Sequence, residues 1–285
     1  MGAGVGALRL TDLLAAARLF AGPVPHLRDV PPAGPQVPHL VEVALRAVDP
    51  HVRAQVLDPL GRRRAVPSLG RPAPLLLPEL FPAAPGGASA GARQVDATTC
   101  GAAVLVLLRL AGDPESALAL ARAPGGARQA FASMQRETHA RTRRWWPQAL
   151  GTPPWGAARE ARYSSVRYTH RVVGARDPSQ GPRGVLAAAV AAAAAGVPVP
   201  LYTGGDLRRG PAAAVPRHVV LLADVRDVAG RATVTLYEPS SGALHAMPTD
   251  ALRGPGGGPR AERARLRALG GWPHVVWAVL PREAR

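Results

Sequence analysis

The chain has 285 residues, 47% of them hydrophobic, which is enough to bury a real core and excludes disorder throughout. Its formal charge of +16 is carried by arginine alone, and its 31 glycines and 31 prolines point to long loops in a globular protein rather than to low complexity. The arginines are scattered, with short clusters only at Arg62 to Arg64 and Arg141 to Arg144, and no basic helix or zinc-ligand spacing accompanies them, so nucleic-acid binding is a minor reading.

One cysteine excludes an internal disulfide and a multi-cysteine metal site, and no motif reads as nucleotide-binding, so neither a cofactor nor a metal is expected. The N-terminal "MGAGVGALRLTDLLAAARLFAG" is interrupted by Arg9, Asp12 and Arg18, which does not suit a secretory signal, and the protein is expected in the cytoplasm.

Residues 10–21 and 38–48 show helical spacing. A proline-rich segment from Val66 to Pro85 follows, ending in "PAAPGGASAGAR", and reads as a linker or wrapping arm. The expected division is therefore a helical and proline-rich arm over 1–88 and a main domain over 89–285. Residues 98–111 form a buried helix, and "DPESALALARA" a second one started by proline. A polar helix over 127–146 runs into "RTRRWWPQALGTPPWG", where the prolines and glycines predict an irregular loop around Trp145, Trp146 and Trp155. The uncharged stretch 184–205 is mostly alanine and breaks at Gly196, Pro198 and Pro200, so it reads as a buried helix followed by a strand and not as a membrane span. After it, "VPVPLY", "RHVVLLADV", "ATVTLYE" and "PHVVWAVL" are strands. Helices first and a mostly antiparallel sheet second make an α+β layout, with the helix after Cys100 packed against the sheet.

Cys100 stands where "RQVDATTCGAAVLVLLRL" turns from polar to apolar. Asp96, Thr98 and Thr99 are helix-capping types, which puts the sulfur in the first helical turn, where unpaired N–H groups and the helix dipole favour a thiolate. Gly101 leaves room for a substrate. Gln94 is placed to return its amide to the same point, making with the Cys100 N–H a two-donor oxyanion hole.

A thiol nucleophile needs a base. His26, His39 and His51 lie in the arm, and His139 lies on the polar helix with a solvated side chain. His170, His245 and His274 are near strands and stay open as candidates. His218 opens the apolar strand "HVVLLADV". In "ATVTLYEPSSG", Val234, Leu236 and Glu238 share one face, which leaves a carboxylate at the end of the core-facing row in need of a partner. A hairpin with a loop from Arg226 to Gly230 sets Val225 against Arg231 and carries His218 directly opposite Glu238, within hydrogen-bonding reach. A two-residue turn or a bulge would shift that register.

With "QVDATTCGAA", "RHVVLLADV" and "LYEPSSG" in this order, residues 90 to 245 resemble the papain-like cysteine peptidases, and within them cysteine peptidase family thirty-nine, the group of bacteriocin-processing double-glycine peptidases. The resemblance implies a papain-like fold and a thiol hydrolase acting on a peptide or amide. Gln94 would be the oxyanion donor, Cys100 the nucleophile, His218 the general base and acid, and Glu238 the orienting residue. The family's orienting residue is usually Asp or Asn, one methylene shorter, and its best-known members are fused to membrane transporters, for which this sequence offers no counterpart. Two other classes of function stand beside this one: a papain-like fold kept as an inactive binding or scaffold module, and an arginine-driven nucleic-acid or anionic-surface binder.

Overall fold

A computed structural model describes residues 8–20, 22–25, 35–68, 73–82, 91–174, 184–254 and 256–282. Residues 83–90, which carry most of the expected linker "PAAPGGASAGAR", and His26 lie outside the described residues.

The protein is α+β. Its helices are α1 (Leu10–Ala16), α2 (His39–Leu45), α3 (Pro50–Leu57), α4 (Cys100–Gly112), α5 (Pro114–Ala121), α6 (Ala127–Arg143), α7 (Pro154–Glu160), α8 (Val185–Ala194) and α9 (Gly258–Ala268). The strands β1 (Arg167–Val172), β2 (Val199–Gly204), β3 (Pro216–Val228), β4 (Arg231–Glu238), β5 (Ala243–Pro248) and β6 (His274–Arg282) form one antiparallel sheet in the order β1-β6-β2-β3-β4-β5. Among the described residues no helix is long and apolar enough to cross a membrane.

Helix α4 is apolar on every side except at Arg109, and it is accordingly buried all round and packed on β3. Each of its fully buried leucines contributes about 1.5–3 kcal/mol of burial free energy. Asp113 ends α4 and starts α5, its carboxylate accepting the Ser116 N–H at 3.1 Å with Pro114 at the first helical position. Pro154 does the same for α7, so the stretch expected to be irregular contains a helix that Trp155 joins.

Residues of the arm share the core: Leu45, Val56, Leu76 and Phe81 are buried with α4 and the sheet. The Leu76 N–H donates to the Gly242 carbonyl at 2.8 Å, and the Leu244 N–H to that of Pro74 at 2.9 Å, so residues 74–76 run beside β5.

The two faces of the sheet are covered by different helices. Along β2 the Tyr202 hydroxyl donates to the Thr152 carbonyl at 2.9 Å, and Thr152 packs on Gly101 of α4. Its neighbour Thr203 points the opposite way and donates to the Leu269 carbonyl at the end of α9, at 3.0 Å. His218 pairs with Thr203 and shares the face of α9. Its strand begins at the end of the sheet where the first turn of α4 also sits, and there the two come together.

Candidate active site

The β3–β4 hairpin differs from the expected five-residue loop. Val228 pairs with Arg231, and the turn is the two residues Ala229 and Gly230, at φ +54° and +77°, the left-handed pair that matches strand twist. Asp227 steadies it, its carboxylate accepting the Gly230 N–H at 2.8 Å. A turn of this length alone would put Glu238 and His218 on opposite faces. One extra residue, Ala223, then bulges between the Leu222–Leu236 and Asp224–Thr235 pairs. The bulge reverses the parity again. Continuing the Leu221–Tyr237 register sets Glu238 across from Val220, so His218 is its diagonal neighbour on the same face and not its direct partner.

Diagonal neighbours stand about 7–8 Å apart, within reach of long side chains. The extra methylene of glutamate suits that gap, and His218 Nε2 meets Glu238 Oε1 at 2.8 Å. Both residues are buried, at 7% and 4% exposure. The "EPSSG" turn holds the carboxylate from its other side: the N–H of Ser240 donates to Oε1 and that of Ser241 to Oε2, each at 2.8 Å. Burial opposes the Glu238 anion, but His218 and these donors prevail and lower its pKa to about 2. Burial likewise opposes a charged His218, and the hydrogen bonds and charges of Cys100 and Glu238 outweigh it, raising the pKa to about 9. At neutral pH the pair is therefore an imidazolium and a carboxylate, with Nε2–H donating to Glu238 and Nδ1–H the donor left for the Cys100 sulfur.

Cys100 is the first residue of α4, free and 5% exposed. The expected capping differs. Thr99 is the N-cap but makes no side-chain cap bond, because its hydroxyl turns back to the Asp96 carbonyl at 3.1 Å and accepts the Asp96 N–H at 3.0 Å. Asp96 is engaged by the N–H and hydroxyl of Thr98. The turn thus uses its polar side chains one step upstream. The first helical bond inside α4 runs from Ala103 N–H to Thr99, and the N–H groups of Cys100, Gly101 and Ala102 have no acceptor among the described residues.

Gly101 does not hold space open for substrate. A Cβ there would stand 2.7 Å from Thr152 Cβ, so the missing side chain admits Thr152.

Gln94 lies beside the end of β4, its N–H donating to the Pro239 carbonyl at 2.9 Å. Its Oε1 accepts the Ser240 hydroxyl at 3.1 Å and its Nε2 donates to the Asp96 carbonyl at 2.7 Å, leaving one amide hydrogen over. Ser240 therefore ties Gln94 to the turn that holds Glu238.

His139 is buried at 4% exposure, not solvated. The reason is the spacing of Phe131, Gln135, Thr138, His139 and Thr142, which form the inner stripe of α6 even though most of them are polar. That stripe serves the loop that carries Gln94: Gln135, fully buried, accepts the Val95 N–H and donates to the Arg93 carbonyl, both at 3.0 Å. Gln135→Leu is expected to cost about 1–3 kcal/mol of stability in urea unfolding, since both loop groups lose their buried partner.

Among the remaining candidates, His245 faces Leu236 in β5, half-buried, with its ring 3.5 Å from the Ser241 hydroxyl. His274 starts β6 opposite Asp206, and His170 accepts from Trp277 Nε1 at 3.2 Å. His39 and His51 are exposed. Gly270 had no sequence signal beyond a Gly-Gly pair, yet it lies against the His218 ring, at 2.2 Å from Cδ2 to its would-be Cβ. Among the described residues no three His, Cys, Asp or Glu side chains gather closely enough to hold a metal ion.

Comparison with known protein families, with curated proteins and with solved structures found no match to this chain.

Proposed function

We propose that the protein is a thiol hydrolase of papain-like type, a peptidase or amidase, akin to the double-glycine peptidases that its motifs resemble. The reading rests on one observation above all: a buried His218–Glu238 pair at 2.8 Å whose imidazole also engages a free cysteine at the start of a helix. Cys100 Sγ attacks the substrate carbonyl with the His218 imidazolium as counter-ion. The Cys100 N–H and the remaining amide hydrogen of Gln94 hold the oxyanion. As the tetrahedral intermediate collapses, the C–N bond breaks and His218 passes its proton to the leaving amine, leaving a thioester. Water then attacks, giving its proton to the neutral His218. The thiolate departs and the acid is released.

Cys100→Ala is expected to abolish labelling by a thiol-directed peptide electrophile, and His218→Ala to slow it by about 10²–10⁴-fold. Labelling that survives at the original rate in both variants refutes the reading.

The low exposure of Cys100, with Thr152 packed over Gly101, favours a second reading, a papain-like scaffold without turnover. It predicts that Cys100 of the unsubstituted chain stays unlabelled by that same probe while remaining titratable after unfolding.

A further inference from the structure

Five buried side-chain atoms without a hydrogen-bond partner belong to the single stretch 139–152: both ring nitrogens of His139, Nε of Arg143, Nε1 of Trp146 and Oγ1 of Thr152. The only other such atom among the described residues is Thr11 Oγ1. A buried polar group left unsatisfied costs about 1–3 kcal/mol, so this concentration marks a place that something else fills.

The stretch lies against the turn that presents Cys100. Thr152 packs on Gly101, and the Thr98 carbonyl stands 3.3 Å from the point where a Cβ on Gly151 would be. The Asp96 charge acts on His139, which sits one helical turn before Arg143, and the backbone N–H of Trp146 donates to the Arg143 carbonyl at 2.7 Å. His139 and Thr152 are each only 4% exposed.

The chemistry of these atoms selects their ligand. Arg143 Nε and Trp146 Nε1 are donors with no lone pair to offer, so only an acceptor satisfies them. The Thr152 hydroxyl also donates. His139, held toward its neutral form by burial and by Arg143, offers one ring N–H to an acceptor and keeps the lone pair of its other nitrogen. Water satisfies a donor but not a charge, and the Arg143 cation favours an anionic acceptor of planar, two-oxygen shape.

We propose that residues 139–152 form a carboxylate-binding subsite beside Cys100, in which Arg143 Nε, Trp146 Nε1 and Thr152 Oγ1 take a carboxylate of a bound peptide. As a specificity subsite it rests on the thiol-hydrolase reading; as a binding site it does not. Two sources supply such a group, an acidic side chain or a free C-terminus, and both are tested by calorimetric titration of the full chain carrying Cys100→Ser. One pair of probes is acetyl-Gly-Asp-Gly-amide against its Asn twin, and the other is acetyl-triglycine with a free carboxyl against its amide. In one pair the carboxylate peptide is expected to bind at least about tenfold tighter than its uncharged twin, and that pair names the source. Arg143→Met and Trp146→Phe, each with unchanged circular dichroism, are expected to bring the ratio close to one. Equal affinities in both pairs, or a preference that survives both substitutions, overturns the subsite. Failure of the hydrolase reading shows elsewhere, as a Cys100 in the unsubstituted chain that no peptide electrophile labels.

Discussion

Replacing Glu238 with glutamine is expected to move the alkaline limb of Cys100 labelling down by about one to three pH units, because the carboxylate that sustains the His218 imidazolium is gone. The same pair shapes stability. A histidine raised from 6.5 to about 9 contributes stability that is complete below pH 6.5 and is lost as pH rises through about 9. A glutamate lowered from 4.5 to about 2 contributes stability present above pH 4.5 and lost as pH falls through about 2. Glu238→Gln is therefore expected to flatten urea-unfolding stability on both limbs. An alkaline limb that stays in place would show that Glu238 does not act on His218. Glu238→Asp supplies an acid one methylene shorter, and it is expected to impair labelling by about ten- to a hundredfold, because the bulge at Ala223 makes the pair diagonal and an aspartate falls short.

Gly270→Ala is expected to slow labelling by about a hundredfold while the chain stays folded. At Gly270 φ is +67°, and an added Cβ would stand 2.2 Å from His218 Cδ2 and 2.5 Å from Nε2. A ring pushed aside by about 1 Å loses its line to both partners, a displacement of the size that costs about 10² in rate. The neighbour Gly271 provides the control: its φ is +86° and nothing lies within 4 Å of its would-be Cβ. Gly271→Ala therefore carries the left-handed strain of about 1–2 kcal/mol without the collision. Thermal melts of both variants are expected to fall, further for Gly270→Ala because it also disturbs the buried pair, and only Gly270→Ala is expected to lose reactivity. Equal labelling by the two would remove Gly270 from the site.

These two experiments divide between what was legible in the chain and what was not. The apolar run after Cys100 and the alanine-rich stretch at 184–205 are marked by length and uniform apolarity, the strands through His218 and Glu238 by short β-branched runs, and all appear where those local signals placed them. The segments β1 and β5 are edge strands rich in polar or small residues, "RYTHRV" and "ALHAMP", which blurs their alternation, and β1 in addition pairs with β6, more than a hundred residues along the chain. Helix α9 carries so many arginines that its narrow buried stripe, Arg265 and Ala268, gives little signal. Helix α6 misleads in the opposite way: its inner residues follow the helical period, but Gln135, Thr138 and His139 are polar and read as solvated.

The sequence by itself determined that Cys100 opens an apolar helix, that His218 lies near the start of a strand, two residues after its first residue Pro216, and that Glu238 ends one, because each depends on neighbours within a few residues. Tertiary structure alone decided the rest. The parity of the His218–Glu238 pair depends on a two-residue turn and one bulged residue whose face changes cancel, and a period-two pattern cannot count such insertions. The space beside Gly101, the backbone beneath the His218 ring at Gly270 and the unpartnered donors over 139–152 are set by chain segments that meet only on folding. Local propensity carries no record of those approaches, since packing of distant segments, and not hydrogen bonding along the chain, places them.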